Sequence, residues 1–207
     1  MIKNFLVNTV RNMRKQSGYV MLNMGGLIIG ITSFILISLY VIHELSYDRF
    51  HSNYQNIYRI KIVGHMAGSE LNQAITAAPM AQALINDYPD VLHATRMRSM
   101  GDWLVGYGDN KFNEDGVVFA DSNFFDVLDF RLLKGDPGTA LVRPRSMIMT
   151  EEYARKYFGD ADPLGQQVTM ESDTVLYTVT GVLENIPDNS HMKFDILASM
   201  STYPRIA

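Results

Sequence analysis

Val20-Met21-Leu22-Asn23-Met24-Gly25-Gly26-Leu27-Ile28-Ile29-Gly30, continuing as Ile31-Thr32-Ser33-Phe34-Ile35-Leu36-Ile37-Ser38-Leu39-Tyr40-Val41-Ile42, is the stretch on which the fold turns. As a helix rising about 1.5 Å per residue it extends roughly 35 Å, enough to cross a hydrocarbon core of about 30 Å with some tilt. No charged side chain falls between Lys15 and His43. A cleaved secretory signal has a shorter apolar region and ends on small residues, whereas this run exits through Tyr40-Val41-Ile42-His43-Glu44. The stretch reads as an uncleaved membrane-spanning helix. No second run of about 20 apolar residues follows it.

Charge divides the chain at the same place. Lys3, Arg11, Arg14 and Lys15 precede the span, and the first carboxylate in the sequence is Glu44. Of the 18 Lys and Arg and 22 Asp and Glu in all 207 residues, 14 and 22 lie beyond residue 43, so a basic apolar head is joined to an acidic body. A uniformly acidic soluble enzyme does not fit that division, and an acidic body repels nucleic acid. By the positive-inside rule the four cations anchor the N-terminus in the cytoplasm and place the body outside. Ile2, Phe5, Leu6, Val10 and Met13 recur at helical spacing, as in a helix lying on the inner membrane face; a plain basic flank fits equally well. The organisation expected is a cytoplasmic basic segment over 1–18, a transmembrane helix over 19–43 and an extracytoplasmic body over 44–207.

Within the span, Gly26 and Gly30 form a small-xxx-small pair with Asn23 one turn earlier. Small residues let a second helix backbone approach closely, and Asn23 can hydrogen-bond across such a contact, so these three are the candidate helix-packing residues.

The body alternates short strand-like and helix-like pieces. Ile57 to Val63 has apolar residues at period two and reads as the first strand; Val91–Met97, Trp103–Tyr107, Gly116–Asp121, Ser146–Met149, Gln166–Met170, Tyr177–Leu183 and Phe194–Ala198 read as further strands. Pro79 to Tyr88 reads as a helix opened by Pro79 and closed by Pro89. A helix starts near Ser122, and Thr150 caps another over Glu151–Phe158, with acids in its first turn and Gly159 past its end. The fold class is α+β: one N-terminal transmembrane helix followed by a mixed α/β domain. Without Cys the body is not a disulfide scaffold.

Catalytic frameworks lack their signatures. The chain contains no G-x-x-x-x-G-K-[ST] phosphate loop, G-x-S-x-G elbow, H-E-x-x-H pair or Asp-rich calcium loop. His43 and His51 are eight residues apart, which suits neither a helical face nor a zinc finger. Asp121, Asp126, Glu151 and Glu152 are accounted for at helix N-termini. Trp103 and Tyr107, among Gly101, Gly106 and Gly108, fit a strand in the core better than an exposed recognition tip. No catalytic, cofactor or metal residue is assigned.

Several phrases occurring together and in order carry a family likeness. Arg11-Asn12-Met13-Arg14-Lys15, the Gly25–Gly30 span and Glu44-Leu45-Ser46-Tyr47-Asp48-Arg49-Phe50-His51 resemble the first transmembrane helix of an ABC-transporter permease of the MacB/FtsX-like type, in its Bacteroidetes-like branch. Asp121–Phe125, Leu133-Lys134-Gly135-Asp136-Pro137, Ala154-Arg155-Lys156-Tyr157-Phe158-Gly159, Asp162-Pro163-Leu164-Gly165, Thr180-Gly181-Val182 and Ile186-Pro187-Asp188-Asn189-Ser190-His191 resemble its MacB-like periplasmic core domain. Singly these are turn and helix-end phrases; jointly they cover nearly the whole chain.

The resemblance implies a non-catalytic subunit in the bacterial inner membrane, its body periplasmic. It implies a partner cytoplasmic ABC ATPase that holds the ATP-Mg, a second permease copy, membrane lipid and a periplasmic adaptor or envelope protein. Such permeases carry further transmembrane helices after the core domain, so the chain reads as an N-terminal fragment. The alternative is a single-span anchored protein whose outer domain binds or senses. Only about 18 residues precede the span, too few for a cytoplasmic output module.

Overall fold

A computed structural model describes residues 2–66, 68–170 and 172–202. The chain divides into two compact units, 1–47 and 48–207. The first holds helices α1 (Ile2–Lys15) and α2 (Ser17–Glu44). α2 has 28 residues, none of them buried, although Ile, Leu, Met, Val, Phe and Gly make up most of it. A helix this apolar round its whole circumference has the composition of a membrane span. Its length, about 42 Å at 1.5 Å per residue, suffices to cross a bilayer.

The second unit opens with a hairpin, β1 (Ile62–Met66) and β2 (Ser69–Gln73), which forms a separate two-stranded sheet. Helix α3 (Met80–Asp87) follows, then β3 (Met97–Ser99), β4 (Trp103–Tyr107), β5 (Asn110–Glu114), β6 (Val117–Ala120) and the single turn α4 (Phe124–Val127). β7 (Leu132–Gly135), β8 (Ser146–Thr150), α5 (Glu151–Phe158), β9 (Gln167–Met170), β10 (Ser172–Leu183) and β11 (Ile196–Ser199) complete it. Strands β3 to β11 make one mixed sheet in the order β3-β6-β11-β8-β10-β9-β4-β5, with β7 alongside β10. The pairs β6–β11 and β8–β10 are parallel; the others are antiparallel.

The three strands at the heart of this sheet, β6, β8 and β11, are buried at every residue. Their near-continuous apolar text follows from burial on both faces. Successive residues feed opposite cores: Val117, Phe119, Met147, Met149, Ile196 and Ala198 pack on one side with Ala154, Tyr157 and Phe158 of α5. Val118, Ala120, Ile148 and Leu197 pack on the other with Phe124, Phe130 and Phe194. The period of two thus divides each strand between two layers.

The observed architecture is the α+β class read from the sequence, and β4 and α5 have the expected limits. Other expectations need correction. Residues 57–61 are not strand; β1 begins only at Ile62, where pairing with Gln73 begins, and Ile57 packs instead against the Phe124–Phe130 core. Residues 91–96 are likewise irregular, and β3 is three residues long. Three strands carried too little apolar alternation to be read: β2 and β5 are polar partners of hairpins, and β7 lies in a phrase that reads as a turn. β5 is held by a two-residue connection, Gly108-Asp109, in which Gly108 has φ 58°, the left-handed value such hairpins demand.

Candidate functional site

Asp48 opens the second unit four residues after α2 ends. It takes φ 54°, a left-handed conformation that Asp tolerates better than most residues at a cost of about 1 kcal/mol. Its contacts account for that conformation. The backbone N–H donates to the carbonyl of Asn189 at 2.9 Å. The carboxylate accepts from the His191 N–H at 3.0 Å and the Ser190 hydroxyl at 3.2 Å, and lies 2.7 Å from the His191 Nδ1. Burial pushes this carboxyl upward, but the hydrogen bonds and positive field of His191 and the Ser190 hydroxyl outweigh it and hold it below the usual value. Asp48 and residues 189–191, which come from two of the phrases that carried the family likeness, thus form one structural joint.

A second joint lies one turn of chain further on. The buried His51 ring packs on Phe50 and Phe130, with centroids at 4.1 and 5.2 Å. Its Nδ1 accepts the backbone N–H of Asp129 at 3.0 Å. In return one oxygen of Asp129 accepts the N–H of Ser52 at 2.7 Å and its hydroxyl at 2.8 Å. Since Nδ1 accepts, the imidazole is neutral. Burial depresses its pKa, and the nearby charges of Asp129 and Asp48 only partly offset that. His51 is therefore a packing and acceptor group. Among the described residues no three His, Asp or Glu side chains converge as a metal-binding group.

A polar network sits on the α5 side. Glu114 is 3% exposed and pairs with the Lys156 ammonium at 2.7 Å, while the Tyr157 hydroxyl donates to the same carboxylate oxygen. The ammonium also lies 4.6 Å from the ring centroids of Phe112 and Tyr153. Burial pushes the Tyr153 and Tyr157 hydroxyls well above their ordinary value, with Asp195 and then Glu114 adding to it at Tyr153 and Glu114 at Tyr157. Beside this network, Asp115, Glu152, Asp188, Asp195 and Lys193 line an open cleft of about 490 Å³. Burial raises the Asp195 carboxyl, and the acids Glu114, Glu152 and Asp115 add to it, against a hydrogen bond from Tyr153. No nucleophile with an adjacent base is found among these groups.

The residues read from sequence fall elsewhere. Asn23, Gly26 and Gly30 lie on one side of α2, and a Cβ built on either glycine meets nothing within 4 Å. Arg11, Arg14 and Lys15 are exposed near the end of α1; the Lys3 side chain lies outside the described residues. Trp103 is buried against Phe119, in keeping with the core reading. Asp121 corrects an expectation: its carboxylate does not serve the α4 N-terminus but takes Arg96, at 2.7 and 2.8 Å through the guanidinium and 3.0 Å through the backbone N–H. A guanidinium offers charge and two-point geometry that a single helical turn cannot match. The Asp48, His51 and Glu114 contacts had no sequence signal beyond the family phrases, because each partner lies 42 to 143 residues away.

The model of the MacB-like periplasmic core domain matches residues 20–207. The chain belongs to that family. No curated protein sequence matches it. Among solved structures it is similar to a domain assigned to a permease protein from Porphyromonas gingivalis, with 28% identity and a TM-score of 0.59 over 66% of this chain and 58% of that one. It is also similar in fold to the periplasmic region of MacB from Actinobacillus actinomycetemcomitans, with 16% identity and a TM-score of 0.52 over 73% of this chain and 70% of that one. The chain therefore spans little more than half of the Porphyromonas structure. With this family, the exposed apolar α2 fits a membrane-anchored protein whose second unit is a MacB-like core domain.

Proposed function

We propose that the chain is part of a permease subunit of an ABC transporter, in which a separate cytoplasmic ATPase does the hydrolysis and the core domain carries the resulting motion into the periplasm. The observation that carries this reading is the joint at Asp48. Four residues after a helix able to cross a membrane, Asp48 is held to residues 189–191 by four hydrogen-bonding contacts, one through its backbone N–H and three through its carboxylate, so a displacement of the chain at Asp48 is passed on to the core domain. The four cations before α2 favour a cytoplasmic N-terminus and contact with anionic lipid of the inner membrane. Export and mechanical regulation of envelope partners both suit such a device, and the chain itself needs no cofactor for it. A second permease copy would meet α2 along Asn23, Gly26 and Gly30.

The experiment is purification of the complete gene product from membranes with its bound proteins. Recovery of an ATPase bearing a phosphate-loop motif is expected. A gene product that ends with the core domain and brings down no ATPase would overturn the reading in favour of an anchored binding protein.

A further inference from the structure

The joint between His51 and Asp129 has a chemical property that the joint at Asp48 lacks. Its acceptor is an imidazole nitrogen, and an imidazolium has none. With a proton on Nδ1, two N–H groups would face each other across the 3.0 Å now spanned by the Asp129 N–H bond. The charge would lie in a buried ring packed between Phe50 and Phe130, where Nε2 has no hydrogen-bond partner among the described residues. The charged groups that bear on the ring are Asp129, across the joint, and Asp48, on its own segment; their attraction does not replace the lost acceptor. Opening the joint frees the imidazole to take a proton in water, so acid favours the open form.

We infer that the segment around His51 is an acid-released catch: it holds residues 50–52 to Asp129 at neutral pH and lets them go as the compartment acidifies. Burial, which depresses the imidazole's pKa, sets the direction, since the closed joint is stabilised above about pH 6.5, the ordinary histidine value, and loses that stabilisation below it. The neighbouring joint stays closed over the same range. Asp48 remains ionised because its pKa is lowered, and His191 can donate from Nδ1 whether neutral or charged. Acid would thus loosen one of two fastenings and leave the other. The consequence for coupling rests on the permease reading; the catch itself does not.

The test is amide hydrogen exchange by NMR on the full chain in lipid nanodiscs, as protection factors at pH 7.5 and 5.0. Protection of the Ser52 and Asp129 amides is expected to fall roughly ten- to thirtyfold between them, the range that a proton taken up at about pH 6.5 allows. The Ile148 amide, in the central strand, should hold. His51→Asn puts a non-titrating acceptor near the Nδ1 position and should abolish the fall. Unchanged protection in the native chain, or an equal fall in the variant, overturns the catch. Should the variant not fold, the native chain still decides: the His51 ring and the Asp129 amide must titrate with one midpoint, and separate midpoints overturn the proposal. No ATPase enters this measurement, so its failure leaves the permease reading standing, and the reverse also holds.

Discussion

Gly135 stands at φ 97° in the last position of β7, and a Cβ placed there would collide with the carbonyl of Thr180 and the Cα of Gly181. Both atoms belong to the backbone of β10 and cannot swing aside. Gly135→Ala combines an unfavourable dihedral with a close contact and is expected to cost about 2–3 kcal/mol, read as a lower urea midpoint of the core domain. A change within about 0.5 kcal/mol would show that β7 is not held against β10 as described. The glycine was legible in the sequence as part of Leu133-Lys134-Gly135-Asp136-Pro137, but as a turn. Only the pairing of Gly135 with Gly181 explains why it must lack a side chain. Asp48 makes the same point from the other side: nothing local in Tyr47-Asp48-Arg49 signals a left-handed aspartate, because the groups that stabilise it arrive from Ser190 and His191.

At the scale of elements, α5 was the most readable part of the body. Thr150 at the N-cap accepts from the Tyr153 N–H, Glu151 and Glu152 occupy the first turn, Glu151 pairs with Arg155, and Gly159 takes φ 60°. These signals act within a few residues, so a sequence displays them. What α5 does with its inner face was not readable. Tyr157 and Lys156 converge on Glu114 from β5, and β5 itself was not recognised as a strand. The consequence appears at high pH. The folded phenols of Tyr153 and Tyr157 lie above the ordinary tyrosine value of about 10, so their contribution is complete below that pH and is lost as pH rises beyond it. Urea midpoints between pH 8.5 and 11 are expected to fall more steeply in the native chain than in Tyr157→Phe, by about 1 kcal/mol at pH 11. Equal slopes would mean that the Tyr157 hydroxyl does not serve the Glu114 carboxylate.

For the molecule as a whole, the open flank of α2 bears on assembly. Gly26 and Gly30 leave room for a neighbouring backbone, and Leu at either position would fill it. In the complete gene product, Gly26→Leu with Gly30→Leu is expected to lower the yield of ATPase-containing complex at least about fivefold, a loss of about 1 kcal/mol of helix association. Blue native electrophoresis and quantitative co-purification would measure it. Undiminished recovery of the complex would remove these glycines from the packing surface.

The sequence by itself determined the long apolar helix, the charge division around it, the central segments as strands, the capped α5 and the family. Each of these is written in neighbouring residues, as composition, as a period of 2 or 3.6, or as a cap within one turn. Only the tertiary structure decided which polar groups meet: Asp48 with residues 189–191, His51 with Asp129, Arg96 with Asp121 and Glu114 with α5. It also decided that the polar segments of β2 and β5 are strands, since backbone pairing with β1 and β4, not side-chain pattern, holds them. The physical reason is range. Hydrophobic periodicity and capping are local, whereas a hydrogen bond between residues tens of positions apart exists only after the sheet has brought their strands and loops together.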